Sequence, residues 1–213
     1  MKNIAIIGSG TMGNGIAHAF AQHKYSVSLI DISQDALDNA LLTITKNLDR
    51  QLKKDVITKE NKESALSNIV TSTNLKTGVR HADLVIEAAT EKTDIKLDLL
   101  RQLDDACPEN CILATNTSSI SITQIASVTQ RPDKVIGMHF MNPVPLMKLV
   151  EVIRGYSTSD TTTKAILELS LSIEKQPVEV NDYPGFVANR ILMPMINEAI
   201  FSLHEGVAGV KEI

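Results

Sequence analysis

Short apolar runs alternate along this chain with longer stretches in which apolar residues recur every three or four positions, and the two periods predict strands and helices in turn. Strands are predicted at 2–7, 26–30, 69–73, 84–88, 111–115, 135–139, 148–153 and 177–180. Helices are predicted just after Gly13, at 35–54, 59–68 and 94–106, from about 122, at 161–173, and finally at 186–204. Such alternation points to an α/β domain built on a mostly parallel sheet. The helices at 35–54 and 59–68 stand where a single crossover helix would suffice, so they read as a two-helix insertion after the second strand. No repeat or low-complexity linker interrupts the pattern.

The turn after the first strand makes the fold more specific. It reads Gly8-Ser9-Gly10-Thr11-Met12-Gly13 and leads into the apolar helix face Ile16, Ala17, Ala19, Phe20 and Ala21. This is GxGxxG in a strand-to-helix setting. The first glycine permits a tight turn, the second lets backbone approach a pyrophosphate, and the third lets the helix pack closely on the strand. Gly8, Gly10, Thr11, Met12 and Gly13 are therefore expected against a dinucleotide, with the free amides of the helix N-terminus facing its phosphates. The second strand ends in Asp31, a carboxylate suited to both ribose hydroxyls of the adenosine. A 2′-phosphate there would cost about 4 kcal/mol per unit charge at close range. No arginine at 32–34 offsets that repulsion, so NAD is expected over NADP. The predicted class is a doubly wound, Rossmann-type domain.

Composition narrows the setting. The 213 residues are 43% hydrophobic, enough for a substantial core in one large domain or one domain with a small annex. A net charge of −4 argues against general nucleic-acid affinity. No leader segment precedes the first strand and no apolar run approaches spanning length, so no membrane partner and a cytoplasmic setting are expected. Cys107 and Cys111 are too few and too close for a disulfide framework, and no histidine or second cysteine pair completes a zinc site. They are expected as reduced thiols at a helix end and a strand start, and no metal is expected.

The candidate chemistry lies in GMHFMNPVPLMKLVE, residues 137–151. His139 closes one predicted strand and Glu151 lies within the next, with Asn142-Pro143-Val144-Pro145 between them. Two prolines forbid helix there and fix a reversal that holds the flanking residues in place. A buried carboxylate on one ring nitrogen would fix the tautomer and stabilise an imidazolium, which suits reversible removal of a hydroxyl proton. The plainer alternative is a hydrogen-bonded core histidine beside an exposed strand glutamate.

At this point the chain resembles the short-chain L-3-hydroxyacyl-CoA dehydrogenase family, nearest to its bacterial 3-hydroxybutyryl-CoA branch. The resemblance rests on GSGTMG at 8–13, IEAATE at 86–91, ATNTSS at 114–119, GMHFMNPVPLMKLVEVI at 137–153 and PGFVANR at 184–190. It implies hydride exchange between NAD and C3 of a short-chain (S)-3-hydroxyacyl-CoA. By the same resemblance His139 is the acid–base, Glu151 orients it, and Ser118 and Asn189 bind the reacting oxygen or the neighbouring substrate. Glu91, Lys96, Asn116, Ser118 and Asn142 are implied as contacts to the nicotinamide and its ribose. Plainer readings stay open: Asn116 satisfying turn backbone, Ser118 capping the next helix, Asn189 lining a helix surface. Lys46, Arg50, Lys53 and Lys54 share one side of the first inserted helix, where the resemblance makes Lys54 the contact to a CoA phosphate; an ordinary solvated face is the alternative.

The sequence also departs from that family. HFMNP and PGFVANR stand where HFFNP and PGFVVNR are usual, so Met141 and Ala188 bear on acyl-chain preference. Residues 1–183 are expected to form the NAD-binding domain, and 184–213 only the first helix of a truncated C-terminal helical domain. Val187, Ile191, Leu192, Met195, Ile196, Ala199, Ile200 and Leu203 make a broad apolar stripe on that helix, and Pro194 within it suggests a kink. The stripe needs a partner, so a homodimer or other homo-oligomer is expected. Two further readings remain open: an NAD(H)-binding module without turnover, and a sugar-acid (gulonate-type) dehydrogenase.

Overall fold

The computed structural model describes all residues, Met1–Ile213. Strands β1 (Asn3–Ile7), β2 (Ser26–Ile30), β3 (Ile69–Ser72), β4 (Leu84–Glu87), β5 (Ile112–Thr115), β6 (Val135–Phe140), β7 (Leu149–Arg154) and β8 (Gln176–Asn181) form one eight-stranded sheet in the order β3-β2-β1-β4-β5-β6-β7-β8. Every pairing is parallel except β6 with β7. Helices α1 (Thr11–Gln22), α2 (Gln34–Lys53), α3 (Lys59–Ser67), α4 (Leu75–Val79), α5 (Thr93–Ala106), α6 (Ile122–Ala126), α7 (Asp160–Ser172) and α8 (Ala188–His204) complete a Rossmann-type α/β fold.

The inner strands are apolar on both faces because both faces are covered, whereas β3 and β8 at the edges are largely exposed or half-buried. Ile4 and Ile6 of β1 point into one core with Phe20 of α1, Leu37, Ile44 and Leu48 of α2, and Ile166 of α7. Ala5 and Ile7 point into the other with Val79 of α4, Leu100 and Leu103 of α5, and Ile122 and Ile125 of α6. Helix α2 shows how sequence fixes an element: Leu37, Ala40, Ile44 and Leu48 recur at helical spacing and are buried, while Ser33 caps its start by accepting a hydrogen bond from the Ala36 N–H at 3.2 Å. Cys107 ends α5 and Cys111 directly precedes β5, both buried as free thiols.

Two elements differ from the sequence pattern. Helix α4, absent from that pattern, is a single short turn whose Gly78 lets it press on β2: a Cβ there would lie 2.5 Å from Cγ1 of Ile30. The last helix begins at Ala188 rather than 186, because Gly185 (φ +80°) and Phe186 (φ +49°) are left-handed and cannot open a right-handed helix. None of the residues of α8 is buried. No helix is long and apolar enough to cross a membrane.

Candidate active site

The Gly-rich turn lies where the sheet order reverses, with β1 between β2 and β4, so a crevice opens at the carboxyl ends of these strands. Gly8 has φ +94°, and a Cβ on it would sit 2.7 Å from the Ala88 carbonyl oxygen in the turn after β4. A Cβ on Gly13 would lie 1.8 Å from the Gly8 oxygen, so only glycine lets α1 start this close to the turn. The Cβ position of Gly10 meets nothing within 4 Å, leaving its backbone approachable. No side chain caps α1, so its first amides are open to an anion. Asp31 follows β2, and its Oδ2 accepts hydrogen bonds from the Ser9 N–H at 2.7 Å and the Ser9 hydroxyl at 2.8 Å. Burial alone would raise its pKa; the bonds from Ser9 and Ser33 outweigh that and hold it below the usual carboxylate value. Asp31 is thus an anion locked to the Gly-rich turn, with Oδ1 carrying only the Ser33 N–H at 3.2 Å. An open glycine backbone, an uncapped helix and a fixed ribose-side carboxylate fit a dinucleotide. Ser9, which sequence reasoning gave no role, does the fixing.

A second cluster gathers at the ends of β5, β6 and β7. His139 and Glu151 are direct partners in the antiparallel register, so their side chains meet on one face. His139 Nδ1 lies 2.8 Å from Glu151 Oε2, and its Nε2 lies 3.0 Å from the Ser118 hydroxyl. The other oxygen of Glu151 accepts the N–H groups of Val187 at 2.9 Å and Ala188 at 2.8 Å, at the start of α8. Burial would raise the Glu151 pKa; the His139 bond, these two amides and the charge of His139 outweigh it, so the carboxyl sits below its ordinary value. An ionised Glu151 can only accept, which assigns a proton to Nδ1 and leaves the Nε2 lone pair toward Ser118. His18, the other buried histidine, has no carboxylate partner; burial lowers its pKa to about 4 and its Nδ1 is unbonded. Both are buried histidines, and of the two only His139 has a carboxylate on one ring nitrogen and a hydroxyl on the other.

The remaining expected residues divide. Glu91 joins the cluster: its Oε1 accepts from the Thr117 hydroxyl, the Ser118 N–H at 2.9 Å and the Ser119 hydroxyl at 3.0 Å. Lys96 is 1% exposed, its Nζ bonded to both oxygens of the fully buried Glu87 at 2.7 and 2.8 Å and in ion-pair range of Glu91 at 3.3 Å. Asn116 is buried and its Oδ1 accepts the Phe140 N–H at 2.9 Å, so the plainer backbone-satisfying role is present. Asn142 is exposed in the loop just beyond β6, and half-buried Asn189 lies in the first turn of α8, next to the amide that holds Glu151. Lys54 is exposed at the C-cap of α2, with Lys46, Arg50 and Lys53 exposed along the same helix. A cavity of about 310 Å³ beside Asn3, Ser26 and His81 opens at the opposite, N-terminal end of the strands, so chemistry rather than concavity selects the site.

Fold and crevice together define a dinucleotide-binding dehydrogenase that uses NAD. Residues 3–183 match the family described as 3-hydroxyacyl-CoA dehydrogenase, NAD binding domain, and residues 185–213 match its C-terminal domain. The chain belongs to the 3-hydroxyacyl-CoA dehydrogenase family. It is 52% identical over 210 residues to a 3-hydroxybutyryl-CoA dehydrogenase of Clostridioides difficile, covering 99% of this chain and 74% of that protein. It is 48% identical over 213 residues to one of Bradyrhizobium diazoefficiens, covering 100% of this chain and 72% of that protein. The crystal structure of an (S)-3-hydroxybutyryl-CoA dehydrogenase from Ralstonia eutropha superposes with a TM-score of 0.97 at 51% identity, covering 100% of this chain and 75% of that one.

Proposed function

We infer that this chain exchanges a hydride between NAD(H) and C3 of a short-chain (S)-3-hydroxyacyl-CoA, interconverting esters such as 3-hydroxybutyryl-CoA and acetoacetyl-CoA. The observation that carries the reading is the line Ser118 Oγ, His139 Nε2, His139 Nδ1, Glu151 Oε2, hydrogen-bonded throughout at the mouth of the dinucleotide crevice. NAD, when bound, takes or returns the hydride. His139 Nε2 takes the proton of the C3 hydroxyl in oxidation and returns it in reduction. Glu151 holds the ring tautomer and stabilises the imidazolium, and the α8 amides keep Glu151 ionised. Ser118 lies within reach of the same proton, so it would hold the reacting oxygen against Nε2. Asn189, on the same helix turn, would contact the substrate from the α8 side.

The polyanionic CoA needs cations, and Lys46, Arg50, Lys53 and Lys54 make no ion pair within the chain. Lys54 would meet a CoA phosphate, and residues 184–213 would act as the start of a separate helical unit. A substrate comparison tests the reading: acetoacetyl-CoA should support NADH oxidation, whereas acetoacetate and a sugar acid such as gulonate (the latter with NAD) should not. Equal rates without the CoA moiety would overturn it.

A further inference from the structure

The chain leaves the sheet through a short connection whose anchor the chemistry above does not use. Strand β8 ends at Asn181, the match to the NAD-binding domain ends at residue 183, and the match to the C-terminal domain begins at 185. Asp182 stands at this junction. Its Oδ2 accepts the Ser121 hydroxyl at 2.7 Å and the Thr123 N–H at 2.8 Å, and its Oδ1 accepts the Ile122 N–H at 3.1 Å. Burial would raise its pKa; these bonds outweigh that and hold the carboxyl below its usual value, an anion at the first amides of α6. A local cap would serve so short a helix, and Ser121 already supplies one by accepting the Gln124 N–H at 3.2 Å. What Asp182 adds is a tie between segments 59 to 61 residues apart in sequence. Both ends of that tie lead to His139. Just before Ser121 lies Ser118, whose hydroxyl is 3.0 Å from Nε2. Shortly after Asp182 come Val187 and Ala188, whose N–H groups are accepted by Glu151, the partner of Nδ1. Between them Gly185 and Phe186 are left-handed, and the buried Phe186 ring lies 5.9 Å from the His139 ring, centre to centre. A chain that turns this sharply aims its next amides from wherever the turn begins, so a fixed starting point matters.

We propose that Asp182 is a positioning residue: by tying the connection between the two domains to the start of α6, it sets the 185–188 turn so that the Val187 and Ala188 amides meet Glu151. It acts on His139 through Glu151. The kinetic consequence rests on His139 being the acid–base; the structural consequence does not.

The test compares Asp182→Ala, which removes all three bonds, with Asp182→Asn, which keeps one oxygen for part of the network, both in the full chain. Amide hydrogen exchange is read without ligand. Exchange of the Ala188 amide should quicken about tenfold in Asp182→Ala and by less in Asp182→Asn. The Leu113 amide of β5 should keep its wild-type protection in both. The turnover number with acetoacetyl-CoA should fall roughly tenfold or more in Asp182→Ala and by less in Asp182→Asn, because a displaced Glu151 no longer holds the ring in place. The KM for NADH should stay within about twofold of wild type, since the Gly-rich turn and Asp31 share no hydrogen bond with residues 182–188. Wild-type exchange at Ala188 in both variants would overturn the proposal. So would a KM for NADH that rises as far as turnover falls, the mark of a domain loosened throughout. Should Asp182→Ala fail to fold, Asp182→Asn carries the test; failure of both would overturn the proposal by making Asp182 a support of the whole fold. A wild-type chain without turnover, but with the expected exchange pattern, would fault the acid–base reading and leave the positioning role standing.

Discussion

At His139 the two ring nitrogens face different neighbours, and the proposed proton transfer rests on that asymmetry. Nδ1 faces a carboxylate held ionised by two helix amides, and Nε2 faces a hydroxyl at the open side. Glu151 also makes stability depend on pH in a defined sense. Its folded pKa lies below the ordinary 4.5, so as pH falls through about that value the unfolded chain takes up the proton first. The contribution is complete above pH 4.5 and is lost as pH falls through the folded value. Glu151→Gln should therefore lower the melting temperature at pH 7 and flatten the decline of melting temperature below pH 4.5; an acid limb as steep as wild type would contradict this. At Asp31 the fixed anion opposes a 2′-phosphate. Asp31→Ala should relax the preference for NAD over NADP by about tenfold or more in kcat/KM, read from initial rates with each cofactor.

Among the elements, legibility in the sequence depends on which signal each one leaves. Helix α2 is legible to within a residue at each end because Leu37, Ala40, Ile44 and Leu48 keep one period over its length. Helix α4 has only Leu75 and Val79 as apolar residues and a glycine between them, too few for any period to register. The start of α8 is hidden because left-handed Phe186 looks in sequence like any other apolar residue. In the site, His139 and Glu151 stand out as polar residues inside apolar strands, and the reversal between them brings them into register. Glu87 sits in an equally apolar strand, yet its partner Lys96 hides on a helix most of whose other polar residues face water, so local pattern cannot announce a buried pair. Ser9 escapes notice because GxGxxG assigns meaning to its glycines alone. The C-terminal half of α2 carries a prediction of its own. Lys54→Glu should raise the KM for the CoA ester roughly three- to tenfold and leave that for NADH unchanged, as expected for one solvent-exposed charge; equal KM values for the ester would return the cluster to an ordinary solvated face.

For the whole molecule, the sheet and its two cores account for residues up to Phe186, and α8 follows a different rule. Ile191, Met193, Met195, Ile196, Ile200 and Phe201 are all more than 40% exposed, on a helix with Pro194 inside it. Leaving such side chains wet forgoes on the order of 10 kcal/mol, comparable to the whole stability of a typical domain, roughly 5 to 15 kcal/mol. We therefore expect this chain to self-associate through α8, and sedimentation should find a dimer or larger species at micromolar concentration; a clean monomer would contradict that. Because the start of α8 also supplies the amides that hold Glu151, the expected association and the proposed catalysis would meet at this helix. The most direct test of the central claim is NADH oxidation with acetoacetyl-CoA by the 213-residue chain beside its His139→Gln variant, with NADH binding measured in both. The account predicts turnover in the wild type, about 10² to 10⁴-fold less in the variant, and equal NADH affinity. Equal turnover in the two, or none in a wild type that binds NADH, would contradict it.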